Sequence, residues 1–151
     1  MTLTALTEVL EAVISKKASM RFKVKGFSMS PFIKNDDVVT ISPVDIFPIG
    51  IGRPVAFRHP ISNKLVIHRI VGGKGDNYII KGDRINCIDG LVSKKYILGV
   101  VTGVERNKKR IFSGIGPERF IIAVLSRWYL LRPLLICLSM FSRPFKKHRS
   151  K

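Results

Sequence analysis

Cysteine is nearly absent from this chain. Cys87 and Cys137 lie fifty positions apart in 151 residues, with no Cys-x-x-Cys pair, and indicate neither a disulfide framework nor a zinc site. Inside its loop Cys87 reads as an inert small residue rather than a reactive thiol. Acidic residues are also scarce, ten against 27 basic ones, for a formal charge of +17. An excess that large fits an anionic surface as partner, either membrane or nucleic acid, better than solubility alone. The chain shows no internal repeat and no low-complexity tract. A secretory leader is not expected either: residues 3–18 carry Leu3, Leu6, Leu10, Val13 and Ile14 at helical spacing, with Glu8 and Glu11 breaking the apolar run. This is an amphipathic helix with Lys16 and Lys17 at its favourable end, fit to pack on a sheet.

The length suits one domain with a real core. Residues 21–25 alternate as a half-buried strand. Short strands follow at 38–42, 54–58, 65–71, 78–81 and 97–105, separated by Gly, Pro, Asn and Asp clusters, with a hairpin turn at 72–77. The fold class is mainly β.

Three pieces of this pattern carry chemistry. Ser28 sits on a turn entered through Gly26, which permits unusual backbone angles, and Pro31 ends regular structure soon after it. His68 follows forty positions later in the strand-like run 65–70, sharing a face with Val66 and Ile70 while Leu65, Ile67 and Arg69 take the other. Apolar neighbours favour a neutral imidazole able to accept a proton. Asp83 and Asp89 lie in the turn-rich stretch 81–89. A hydroxyl, an imidazole and a carboxylate are the parts of a nucleophile, a base and an orienter, and a serine needs such partners to attack well. Each residue also has an ordinary structural reading, a packed strand histidine or a turn-capping aspartate. His59 and His148 read as loop and tail residues.

The sequence resembles the signal peptidase I family of serine peptidases over about residues 20–105. Gly26-Phe27-Ser28-Met29-Ser30-Pro31 is similar to the nucleophile box. Asp36-Asp37-Val38-Val39 and Gly52-Arg53-Pro54-Val55-Ala56-Phe57 are similar to two structural boxes, 65–70 to the base box, and Lys81-Gly82-Asp83 through Asp89 to the Lys-Gly-Asp box. His68, where many bacterial members have lysine, resembles the endoplasmic-reticulum, archaeal and sporulation-type branch. The resemblance implies Ser28 as nucleophile rather than Ser30, and His68 as general base rather than Lys25 or Lys64. It implies Asp83 or Asp89 as orienter, with Asp83 favoured, and backbone N–H donors around Ser28 and Gly26 for the oxyanion. It also implies cleavage of precursor polypeptides after a small-x-small sequence, and a signal-peptidase or SOS-repressor type of β domain. Three departures stand out: Arg53 replaces a frequent aspartate, Gly26 replaces a serine that assists some members, and the usual N-terminal membrane anchor is missing.

Residues 120–141 are long enough to span a bilayer. Their apolar side chains supply roughly −4 to −7 kcal/mol of insertion energy, and Arg127 and Arg132 cost about +5 to +7, so a span is marginal. A helix lying in the membrane interface is the simpler expectation, with Trp128 and Tyr129 at headgroup depth and the basic tail against anionic phosphates. A helix packed on the domain is the bland alternative.

The sequence therefore predicts an N-terminal helix over 1–19, a catalytic β domain over 20–117, an apolar helix over 118–142 and a basic tail over 143–151. The function expected is that of a signal-peptidase-type serine endopeptidase. It is expected to be peripheral at a membrane or held by one C-terminal segment, with no metal or cofactor, and to meet an anionic membrane surface and a membrane-anchored partner protein. The alternatives are a self-cleaving regulator of SOS-repressor type and a basic module binding nucleic acid or membrane without activity. The base is not lysine, which counts against the self-cleaving regulator; no RNA-binding aromatic signature is present, so nucleic acid is not the expected partner.

Overall fold

A computed structural model describes residues 3–141. The predicted tail over 143–151 lies outside the described residues. Eight strands form one antiparallel sheet, and three helices flank it in the chain. Helix α1 (Leu3–Ser15) comes first, followed by β1 (Met20–Lys23), β2 (Val38–Ser42), β3 (Pro54–Arg58), β4 (Leu65–Lys74), β5 (Asn77–Lys81) and β6 (Ile88–Ser93). After a single 3-10 turn, β7 (Ile97–Arg106), β8 (Lys109–Ile111), α2 (Arg119–Arg127) and α3 (Leu131–Phe141) complete the described chain. The strand order is β1-β2-β7-β3-β4-β5-β6, with β8 also on β7. The mainly β expectation holds.

Strands β2 and β3 begin and end where alternation predicts. Strand β4 runs three residues further than expected, because its hairpin closes tightly through Gly75 and Asp76, with Lys74 paired to Asn77. Two strands were not foreseen. Strand β6 carries Asp89 and Gly90 in its interior, and β8 is three residues long and opens with Lys109 and Arg110. Both pair with neighbours whose own pattern is strong, β5 and β7.

The alternation of β4 divides the interior. Leu65 and Ile67 pack with Leu10, Met29, Ile33, Val39, Ile41, Ala56, Val101 and Val104. Val66 and Ile70 pack with Val55, Phe57, Ile80, Val92, Ile97 and Val100. Leu10 brings α1 onto the first cluster and is fully buried there. Truncating such a leucine to alanine costs about 2–5 kcal/mol.

The single C-terminal helix expected over 118–142 is instead two helices, bent by 112°. Pro133 is the physical reason. It cannot donate a hydrogen bond to the carbonyl of residue 129, and its ring clashes there, so no continuous helix can run through. Tyr129 takes φ +61° at the break, and Pro133 falls in the first turn of α3, where proline is tolerated. Among the described residues no single helix is long and apolar enough to cross a membrane; by length and composition only the bent pair could.

Candidate active site

The turn carrying Ser28 is braced from behind. Gly26 takes φ +108°, a conformation glycine adopts without strain. Its N–H donates to Asn35 Oδ1 at 3.0 Å. Lys25 pairs with Asp36 at 2.6 Å, and the backbones of Val24, Asp36 and Asp37 exchange hydrogen bonds. Asp37 is buried and held by Arg106 Nε and Nη2 at 2.9 and 2.8 Å. Burial alone would raise its carboxyl, but the Arg106 guanidinium and the Lys34 N–H overrule it and hold the group below the ordinary value of 3.8. The Asp36-Asp37 stretch thus reaches back and fixes the nucleophile turn. It leaves the Ser28 N–H unbonded among the described residues, whereas the Gly26 amide is occupied by Asn35. Of the two backbone positions predicted for an oxyanion, Ser28 retains a free donor and Gly26 does not.

His68 is buried in β4, 6.4 Å in ring centroids from Phe57. Its Nδ1 lies 2.6 Å from Asp89 Oδ2. With a carboxylate as partner, Nδ1 carries the proton, which leaves the lone pair on Nε2. Nε2 faces the nucleophile turn across a glycine. A methyl group on Gly82 would stand 3.0 Å from His68 Nε2 and 2.9 Å from the carbonyl oxygen of Ser28, so only a residue without a side chain fits between them. The Ser28 carbonyl also accepts the Arg84 N–H at 2.8 Å, which ties the turn to the loop after β5. Ser28 Oγ itself holds no hydrogen bond among the described residues. His68 and Asp89 are paired, and the Ser28 backbone lies across Gly82 from the imidazole; Ser28 is half-exposed, and Asp89 is mostly covered.

Asp83 does not join them, and the preference for it as orienter is corrected here. Its two oxygens accept Arg69 Nε and Nη2 at 2.8 and 2.7 Å, with both side chains fully buried. Arg69 follows His68 on β4 and therefore points to the opposite face. Its Nη1 donates to the carbonyls of Gly52 and Gly114 at 2.7 and 2.6 Å. Asp83 is thus committed to a structural ion pair, and Asp89, on the unforeseen strand β6, takes the histidine. Arg69 is the residue that sequence reasoning missed. An arginine amid apolar strand residues was the available signal, since a buried guanidinium requires a carboxylate.

A groove of about 480 Å³ runs beside the serine, walled by Phe22, Val24, Met29, Ile33, Leu65 and Ile67 and reached by Leu6 of α1. Ser28 lies on its wall. An apolar trough next to a serine suits an extended peptide with small or apolar side chains. Lys81 is buried at the end of β5, where it donates to the Ser126 carbonyl at 2.6 Å and stacks over Tyr129 at 4.3 Å. Burial pushes its ammonium below the usual lysine range, against the pull of Asp83 and Cys87. Ser30, Lys25 and Lys64 make no hydrogen bond with Ser28 or His68. Among the described residues no three His, Cys, Asp or Glu side chains converge as a metal centre. No protein-family model matches the chain, and a search of curated proteins finds no match.

Proposed function

We propose that this protein is a serine endopeptidase of signal-peptidase type, working through Ser28, His68 and Asp89. The observation that carries the reading is a buried histidine with Nδ1 on a carboxylate at 2.6 Å and Nε2 turned through Gly82 toward the Ser28 turn. Ser28 Oγ attacks the scissile carbonyl as His68 Nε2 takes its proton. Asp89 keeps the ring in the required tautomer and stabilises the imidazolium. The Ser28 N–H donates to the oxyanion, an interaction typically worth a few kcal/mol. His68 returns the proton to the leaving amine, then activates the water that releases the acyl group. The groove receives the residues before the cleaved bond, in keeping with a small-x-small precursor sequence.

The working place is a membrane, with the chain peripheral or held by its C-terminal segment. Support comes from the charge of +17 and from the apolar bent pair. A membrane-anchored partner protein fits the same setting. The test uses purified Ser28→Ala and His68→Ala with a small-x-small precursor peptide. Each is expected to abolish cleavage while leaving the unfolding midpoint near that of the parent. Full activity in either variant would defeat the assignment.

A further inference from the structure

Helices α2 and α3 together expose a run of apolar side chains, where elsewhere such residues, Ile61 and Leu91 among them, stand out on separate strands and loops. Phe120, Ile121, Val124, Trp128, Leu134 and Leu138 are each between 42% and 72% exposed. Helix α2 buries Ile122, Ala123 and Ser126 against the domain and turns the others outward. Beyond Leu131, α3 buries almost nothing. A helix this short with uncovered leucines and isoleucines gains little in water and needs an apolar partner. Charge identifies the partner. From residue 119 to 151 the sequence holds eight Lys and Arg and no Asp or Glu. A protein partner could be of either charge, but an anionic lipid surface satisfies an apolar face and an all-cationic rim together.

A second observation lies where this face meets the domain. The Arg119 side chain crosses Gly52: a methyl there would stand 2.9 Å from Arg119 Cγ. Arg53 is the next residue along the chain, and it lies within reach of the Arg119 charge. Neither makes a hydrogen bond or ion pair through its side chain among the described residues, and Arg119 Nε is buried without a partner. The Arg119 guanidinium stacks on Phe120 at 4.6 Å, which leaves its edge free to donate. Burial and the charge of Arg119 both push Arg53 below the usual arginine range, a like-charge strain that an anion would relieve. Two unpaired arginines bordering an apolar helix face form a seat for a phosphate whose acyl chains lie along that face.

We propose that α2 and α3 lie flat in the interface of an anionic bilayer, with Arg53 and Arg119 holding a lipid phosphate at the domain end. Flat seating follows from the ends of α3. Arg132 lies at its start and the basic run 143–151 follows its end, so both ends remain at headgroup level. Eleven residues of helix reach only about 16 Å, half a hydrocarbon core. The proposal rests on the membrane half of the preceding reading and is independent of the peptidase half, so cleavage assays do not bear on it.

Trp128 is the only tryptophan and stands 72% exposed at the bend, so it reports directly. The full chain is mixed with vesicles of phosphatidylcholine alone, or with equal parts phosphatidylglycerol. Emission is expected to shift to the blue on the anionic vesicles, and bromines placed high on the acyl chains should quench it more than bromines at the chain ends. Arg53→Gln with Arg119→Gln should weaken anionic-vesicle binding roughly thirty-fold, taking the usual gain per basic group at such a surface. The control Lys94→Gln with Lys95→Gln removes the same charge from an exposed turn and should cost far less. If the arginine double variant does not fold, Arg53→Gln alone, which breaks no hydrogen bond, should cost about five-fold. Unshifted emission on both vesicles would point to a protein partner and overturn the proposal. So would strongest quenching from chain-end bromines, which means a span, or equal losses in the two double variants. Inorganic phosphate binding to the arginines with no vesicle preference for phosphatidylglycerol would mean a free-phosphate site and overturn it as well.

Discussion

Two consecutive residues of β4 each hold an aspartate from the same stretch of chain, and they do opposite things with it. Arg69 and Asp83 are sealed: both side chains are fully buried, both carboxylate oxygens are taken, and the guanidinium donates to two backbone carbonyls besides. His68 and Asp89 are unfinished. The imidazole is held on one nitrogen only, and the other faces a half-exposed serine turn. A strand's alternation thus sends a structural pair to one face and a pair with an unused lone pair to the other. The difference teaches that burial and charge alone do not mark a reactive group; a site needs a partner left over.

Asp89→Asn breaks the comparison most sharply. It should slow peptide cleavage about 10⁴-fold by favouring the wrong histidine tautomer, with little change in stability. Steady-state kinetics beside urea unfolding would separate the two. Asp83→Asn should do the reverse. Leaving Arg69 buried against a neutral amide should cost about 3–5 kcal/mol, while each molecule still folded cleaves at the parental rate. If Asp83→Asn proved the slower enzyme at equal folded fraction, the two pairs would have exchanged roles.

A smaller effect belongs to Lys81, two residues before Asp83. Lys81→Met removes the donor to the Ser126 carbonyl and the stacking on Tyr129. It should loosen α2 by about 1–2 kcal/mol, visible as amide exchange roughly ten-fold faster in α2 but unchanged in β4. The smallest effect concerns the outlying pair of Asp37 and Arg106. Because the folded carboxyl lies below its ordinary value of 3.8, its contribution is complete above that pH and fades as acid carries the solution through the folded value. Arg106→Gln should therefore flatten the acid limb of a stability–pH curve while changing its alkaline side little.

The sequence made the apolar alternation legible, and with it most of the sheet: β2 and β3 fall where period two puts them, and His68 faces where counting along the strand predicts. The Ser28 turn and His68 face one another across Gly82 because each belongs to an element with a strong local signal. The choice between Asp83 and Asp89 was not local. It depends on how β4, β5 and β6 register against one another, and β6 is weakly patterned, with Asp89 and Gly90 in its middle. Asking what neutralises Arg69 would have settled the choice sooner. The helix break was within reach as well. Pro133, next to Arg132, makes a steric demand on residue 129 that no continuous helix over 118–142 can meet.

Arg69 also reaches the carbonyl of Gly114, beyond the last strand, and Glu118 steadies that stretch by accepting the N–H groups of Gly114 and Gly116. The polypeptide after β8 is therefore a plug for the buried arginine, not a detachable tether to the helices. A protease nick between Phe112 and Gly114 should release more than a tail: water would enter beside the guanidinium, and the sheet would loosen from its middle outward. A fragment that keeps the sheet intact should therefore run at least through Glu118, past the point where the strands stop.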